Sequence, residues 1–209
     1  MSMHRPHSHG DVGRFDEWAS SYERHWMQRL VFDPIQTTLL DLASEQVAQP
    51  RSILDVGCGT GRLLRTAAKR FPGALLNGVD AAPQMVEQAK RLMPSAAPIQ
   101  FQQAAAEALP FADGEFDLVF STMTFHHWAD QRRGVGEVAR VLAPGGRWLL
   151  SDFVGHGVVR TVTQLLRLHR FFDRKGLDAF IAEAQLAVVA ERPSRWLGKS
   201  VPVLAIAAR

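Results

Sequence analysis

The segment Ile53-Leu54-Asp55-Val56-Gly57-Cys58-Gly59-Thr60-Gly61 constrains this chain more than any other. A short apolar run, Ser52 to Val56, breaks into three glycines, and an amphipathic stretch with Leu63, Leu64 and Ala67 follows. That pattern is a strand meeting a helix across a tight turn. Glycines there allow backbone conformations closed to other residues and let a ligand approach the main chain. In open α/β sheets such a loop lies at the carboxyl edge, where ligands bind. The spacing is G-x-G-x-G with Arg62 next. It is therefore neither the dinucleotide fingerprint G-x-G-x-x-G nor a phosphate loop ending in Gly-Lys-Ser/Thr. Asp55 precedes the glycines. A carboxylate at that place disfavours pyrophosphate and favours a ligand with an ammonium group.

Similar transitions recur along the chain. Ala74 to Val79 reads as a second strand ending at Asp80, and Pro83 opens a helix carrying Met85, Val86, Ala89 and Leu92. Ile99 to Gln102 fits a short third strand. The Asp113-Gly114 turn precedes a fourth, Phe116 to Phe120. Asp130 can cap a helix with Val135, Val138 and Leu142 on one face, stopped by Pro144-Gly145-Gly146. Arg147 to Phe153 reads as a fifth strand. Strands alternating with helices through residue 153 predict a parallel sheet covered on both faces. Helical patterns follow around Val158–Phe172 and Asp178–Gln185. Leu186–Ala190 and Val201–Ala208 then lie close enough to pair antiparallel.

Upstream, Phe15, Trp18, Tyr22, Trp26 and Leu30 fall on one face of a helix, and Asp33-Pro34 reads as a cap and first turn of the next. Residues 1–13, with His4, His7 and His9, read as a disordered tail, with metal binding as the alternative. The rest, 14–209, is predicted to be one domain, with 14–48 as N-terminal lid helices and 155–185 as a helical substrate cover.

Composition narrows the class. A length of 209 residues suits one domain. The lone Cys58 excludes an intramolecular disulfide framework and a thiolate metal cluster, so no metal site is expected. The charge of +3, from 24 basic and 21 acidic residues, does not support nucleic-acid binding. No apolar run is long enough to span a membrane, and no secretory leader is evident. A cytoplasmic domain is expected.

Asp80 ends the second strand, where a carboxylate can accept from both hydroxyls of a ribose; it can also serve as a helix cap. At this point the sequence resembles the class I S-adenosylmethionine-dependent methyltransferases, in the small-molecule branch that includes ubiquinone and menaquinone biosynthesis enzymes. Six stretches carry the likeness in the family's order: Phe15 to Tyr22, Leu54 to Gly61, Gly78-Val79-Asp80, Glu107 to Phe111, Phe116 to Val119, and Glu137 to Gly146. The resemblance implies a Rossmann-like three-layer α/β/α sandwich whose seven-stranded, mostly parallel sheet has an antiparallel last strand. It implies S-adenosyl-L-methionine as cofactor and a small molecule as methyl acceptor.

The resemblance also implies individual roles. Gly57, Gly59 and Gly61 would wrap the methionine part, with Asp55 orienting its amino group. Asp80 would hold the ribose, and Ala81 and Met85 would line the adenine pocket. Ser121 would contact the amino-acid end through backbone or hydroxyl, and Tyr22 would close over the site. One position departs from the pattern. Ala105 stands where relatives carry an acid that meets the adenine, which leaves the Ala106 amide and Gln103 for that task and predicts weaker affinity.

Methyl transfer from a sulfonium needs alignment first, and a base only when the acceptor holds its proton. His126 and His127 follow the fourth strand and are the candidate catalytic residues. Phe125, Trp128, Trp18 and Trp26 fit either an acceptor wall or the core. Arg160, Arg167, Arg170 and Arg174 share one helical face, read as a solvated surface or an anion patch. Two other readings are carried: a non-catalytic cofactor-binding protein, and a nicotinamide oxidoreductase, which the loop spacing disfavours.

Overall fold

The structure, a computed structural model, describes residues 32–93, 99–153, 174–196 and 199–208. Its elements run α1 (Asp33–Gln46), β1 (Ser52–Val56), α2 (Arg62–Arg70), β2 (Leu75–Asp80), α3 (Pro83–Leu92), β3 (Ile99–Gln103), β4 (Phe116–Thr122), α4 (Gln131–Val141), β5 (Leu142–Ser151), α5 (Arg174–Glu183), β6 (Leu186–Trp196) and β7 (Lys199–Ala208). The seven strands form one sheet in the order β3-β2-β1-β4-β5-β7-β6. β7 runs antiparallel to both its neighbours, and the first five strands pair in parallel. The expected three-layer sandwich is therefore observed.

The layers follow from strand alternation. Ile53, Leu118 and Leu149 face one side, where α1, α2 and α3 contribute Leu39, Leu64 and Ala89. Their neighbours Leu54, Val119 and Leu150 face the other, against Val135 and Val138 of α4 and Leu177 and Ile181 of α5. Both faces being covered explains why these strands are apolar runs without polar alternation. The chain reverses direction of travel across the sheet between β1 and β4. The crevice at their carboxyl ends is the switch point where ligands bind in this architecture.

Several boundaries shift. β4 extends two residues beyond the expected Phe120 and stops where Met123 adopts φ of 57°. β5 stops at Ser151, because the next side chain, Asp152, accepts the Phe153 amide (2.7 Å). β6 continues through Pro193, which an edge strand tolerates. Asp33 is not the cap of α1. It lies inside the helix, which Phe32 precedes, and accepts two hydrogen bonds from Arg62 (2.6 and 3.1 Å). Asp130 does cap α4, accepting from the Arg133 amide at 3.0 Å. The Phe15–Leu30 helix and most of the proposed 155–185 cover lie outside the described residues, while α1 packs on β5, β6 and β7 as part of the helical layer.

Two glycines in α4 make the packing testable. A Cβ on Gly134 would lie 2.4 Å from the Trp128 ring, whereas one on Gly136 would meet nothing within 4 Å. Gly134→Ala should destabilise the fold by about 1–3 kcal/mol through overpacking. Gly136→Ala should stabilise it by up to ~1 kcal/mol through helix propensity. Urea denaturation of both variants measures the contrast, and equal effects would contradict the packing.

Candidate active site

The glycine loop is held by the adjacent strand. The Gly57 and Cys58 amides both donate to the Val79 carbonyl, at 2.8 and 2.9 Å. Gly57, Gly59 and Gly61 all have positive φ, at 80°, 52° and 77°. At Gly57 a Cβ would lie 2.0 Å from the Thr124 hydroxyl, and at Gly61 it would strike the Phe101 ring at 2.5 Å. At Gly59 it would meet nothing within 4 Å. Two of the glycines are thus required by packing. Gly59 is required by its backbone conformation and leaves its outer side open.

Asp80 fixes this arrangement. One carboxylate oxygen accepts from the Gly59 amide (2.8 Å) and the other from Ala82 (2.9 Å). The second bond anchors the approach to α3, so part of the expected capping role is present.

The loop, Asp55, Phe32, Gln36, Arg62, Leu63 and Thr122 line a shallow cleft. Asp55 is buried, and no basic side chain pairs with it among the described residues. Burial, with Asp80 nearby, pushes its carboxyl up to about 8. The same two causes, and Asp55 itself, raise the Cys58 thiol, which leaves no reactive thiolate in the loop. Two neighbouring carboxyl groups, a glycine open on its outer side and a buried hydroxyl without a partner among the described residues (Thr122 Oγ1) fit a ligand that brings a positive charge and an amino-acid end.

On the other side of the switch point, β4 and β5 end in register, with Thr122 opposite Ser151. The chain beyond β4 forms a 3₁₀ turn, Phe125–His127. Phe125 and Trp128 are core residues rather than an acceptor wall. Phe125 packs edge-on against Trp128 at 5.0 Å, and Trp128 stacks on Trp148 at 6.1 Å. This cluster fixes the turn that carries both histidines, whose rings lie 3.9 Å apart. His126 is tied down twice by the fully buried Asp152. The His126 amide donates to one oxygen (3.0 Å), and Nδ1 lies 2.7 Å from the other. Asp152 was not anticipated, since nothing in its local sequence marks it.

The other expected site residues divide. Ser121 is fully buried, and its hydroxyl accepts from the Trp148 indole (3.1 Å). Thr122, one residue on, lines the cleft instead. Ala81 is exposed beside the loop, and Gln103 donates to its carbonyl (3.2 Å). Met85 and Ala106 are buried, and Ala105 is exposed. Tyr22 lies outside the described residues.

Two of the resembling stretches meet as scaffold. Arg140 donates to the Leu109 and Phe111 carbonyls while pairing with Glu137, and Glu137 accepts from the Leu109 amide. That contact with Arg140 holds the Glu137 carboxyl below the usual range. Glu107 accepts from the Asp130 amide (2.9 Å), which joins this loop to the histidine turn.

The raised Asp55 carboxyl has a consequence for stability. Between the ordinary carboxylate range and about pH 8 the unfolded chain has lost this proton and the folded chain keeps it. Rising pH therefore costs the ligand-free fold, by at most about 1.4 kcal/mol per unit in that window. Asp55→Asn should remove this component, so its stability advantage over the parent should grow from pH 4 to pH 8 in denaturant titrations. A constant difference would contradict the assignment.

Comparison with known proteins agrees with the geometry. Residues 54–150 match a family model described as a methyltransferase domain. The chain is 43% identical over 115 residues to the demethylmenaquinone methyltransferase of Thermus thermophilus, covering 54% of this chain and 51% of that protein. It is 34% identical over 163 residues to the malonyl-[acyl-carrier protein] O-methyltransferase of Geobacter sulfurreducens, covering 72% and 61%. The chain thus spans about half to three fifths of the length of these relatives. A solved structure of the magnesium protoporphyrin IX methyltransferase of Synechocystis PCC 6803, with bound S-adenosylhomocysteine, shares the fold with a TM-score of 0.73 at 16% identity, covering 96% of this chain and all of that one. In its strand order, its glycine loop and the matched residues 54–150, the chain is similar to the class I S-adenosylmethionine-dependent methyltransferases.

Proposed function

We propose that this chain methylates a small-molecule acceptor whose attacking atom enters with a proton, and that His126 removes that proton. The observation that carries this reading is the His126–Asp152 pair at the carboxyl edge of β4 and β5. When bound, S-adenosylmethionine supplies a methyl group activated by its sulfonium, and the carbon–sulfur electron pair stays on sulfur as the acceptor takes the methyl. The chain's own residues do the rest. Gly57, Gly59 and Gly61 shape the cradle, Asp55 faces the amino group, and Asp80 holds the ribose, as the resemblance implies. Ala81, Met85 and the Ala106 amide border the adenine, as the resemblance implies. His126 takes the acceptor's proton at Nε2, the ring nitrogen that Asp152 does not engage. Asp152 acts as a positioning residue, fixing the ring through Nδ1 and the turn through the amide, and it stabilises the imidazolium that forms. His127, its ring tilted by 46° against that of His126, borders the same space.

A purely cofactor-binding role would have no use for a buried carboxylate aligning a histidine. Nicotinamide binding conflicts with the loop spacing and with Asp55. A chain with the single cysteine Cys58 needs no oxidising compartment, which supports the cytoplasm, and among the described residues no helix is long and apolar enough to cross a membrane.

A graded series of phenols tests the base. His126→Gln should lower turnover about 10²–10⁴-fold with the least acidic acceptor. The loss should shrink as the phenol becomes more acidic and arrives already ionised. Asp152→Asn should follow the same trend more weakly, with cofactor affinity retained. A loss independent of acceptor acidity would reduce His126 to a structural residue.

A further inference from the structure

Met123 stands just after β4 with φ of 57°. A bulky side chain seldom enters that left-handed region, whereas a glycine would occupy it at little cost. The conformation is locked, because the Met123 amide donates to the Ser151 carbonyl (2.8 Å) where β4 and β5 end. Backbone strain of this kind persists where the aim of a side chain matters. The Met123 side chain joins an apolar patch. With Phe32 and Phe153, both half-buried like itself, it packs against the buried Ile35 of α1 and Val201 of β7.

The place of this patch decides what it can do. The register that pairs Ser151 with Val203 carries Phe153 toward Val201, at the carboxyl edge of β5. Phe153 follows Asp152, whose carboxylate accepts from the Phe153 amide and holds His126. At the other end, Phe32 also lines the cleft of the glycine loop. The next residue, Asp33, accepts two hydrogen bonds from Arg62 of α2, so this end of α1 is pinned beside that loop. The patch is therefore continuous with the cleft on one side and with the histidine–aspartate pair on the other. Its side chains offer carbon and sulfur and no charge, and a thioether adapts to varied apolar shapes.

We propose that Phe32, Met123 and Phe153 receive the body of the acceptor, and that the acceptor is a hydroxylated ring carrying an uncharged alkyl substituent, with Met123 as the residue that selects for that substituent. This rests on the small-molecule acceptor reading above. The hydroxyl then lies at His126 while the alkyl group covers the patch.

The probes are 4-methyl-, 4-ethyl-, 4-propyl- and 4-butylphenol, titrated calorimetrically into the protein saturated with S-adenosylhomocysteine. In the parent each added methylene should tighten binding about two- to fourfold. Met123→Gln keeps the length of the side chain but not its apolar end, and should cut the gain to about 1.5-fold or less per methylene. Met123→Leu should keep the parent's gain, as should Leu75→Gln, which alters an exposed apolar residue at the start of β2. Equal gains in the parent and Met123→Gln, the same loss in Leu75→Gln, or no binding of any phenol by the parent would each overturn the assignment. The gain is read from binding, so it stands apart from the base: His126→Gln should keep it while losing turnover. Turnover losses that ignore acceptor acidity would overturn the base and leave the patch standing.

Discussion

Three amides of the glycine loop are held from β2: Gly57 and Cys58 by the Val79 carbonyl, and Gly59 by the Asp80 carboxylate. The rest of the site depends on these bonds. They bring the loop over the end of β2, so the left-handed glycines are fixed without any ligand. They also keep Asp80 near Asp55, which lines the cleft, in a setting that raises the Asp55 carboxyl. A preformed cradle of this kind lowers the ordering cost of binding.

The second half of the site is built differently. His126 and His127 ride on one short 3₁₀ turn, which has little internal hydrogen bonding of its own. The turn is fixed from below by the Phe125, Trp128 and Trp148 rings and from the side by Asp152. Glu107 ties the helix that follows to the loop between β3 and β4, and Arg140 pins that loop to α4. The two halves meet at Thr122 to Thr124, where the end of β4 is packed against Gly57. The histidine turn and the glycine loop therefore share one corner, the arrangement that in-line displacement would need under the proposed reading.

Much of this was legible in the sequence because it is local. The strand–glycine–helix transition and the Asp80 strand end show in a few consecutive residues, and the alternation of apolar runs shows the layers. What was not legible depends on register or on distant partners. Asp152 and His126 are 26 residues apart and meet only because β4 and β5 end side by side. Ser121 and Thr122 are chemically similar, and which one faces the cleft depends on the phase of a strand whose end was placed two residues early. Asp33 has the local pattern of a helix cap, but Arg62 on α2 claims its carboxylate. Phe125 and Trp128 carry no local mark that separates a pocket wall from a core.

The central claim is that the cleft at the β1–β4 switch point binds S-adenosylmethionine through a carboxylate that keeps its proton until the cofactor's positive charge arrives. Calorimetric titration of S-adenosylmethionine at pH 7, repeated in two buffers of different ionisation enthalpy, tests it most directly. The account predicts one binding site and release of roughly one proton on binding, with the release abolished in Asp55→Asn. Binding with no proton released, or binding of a nicotinamide dinucleotide in place of S-adenosylmethionine, would contradict it.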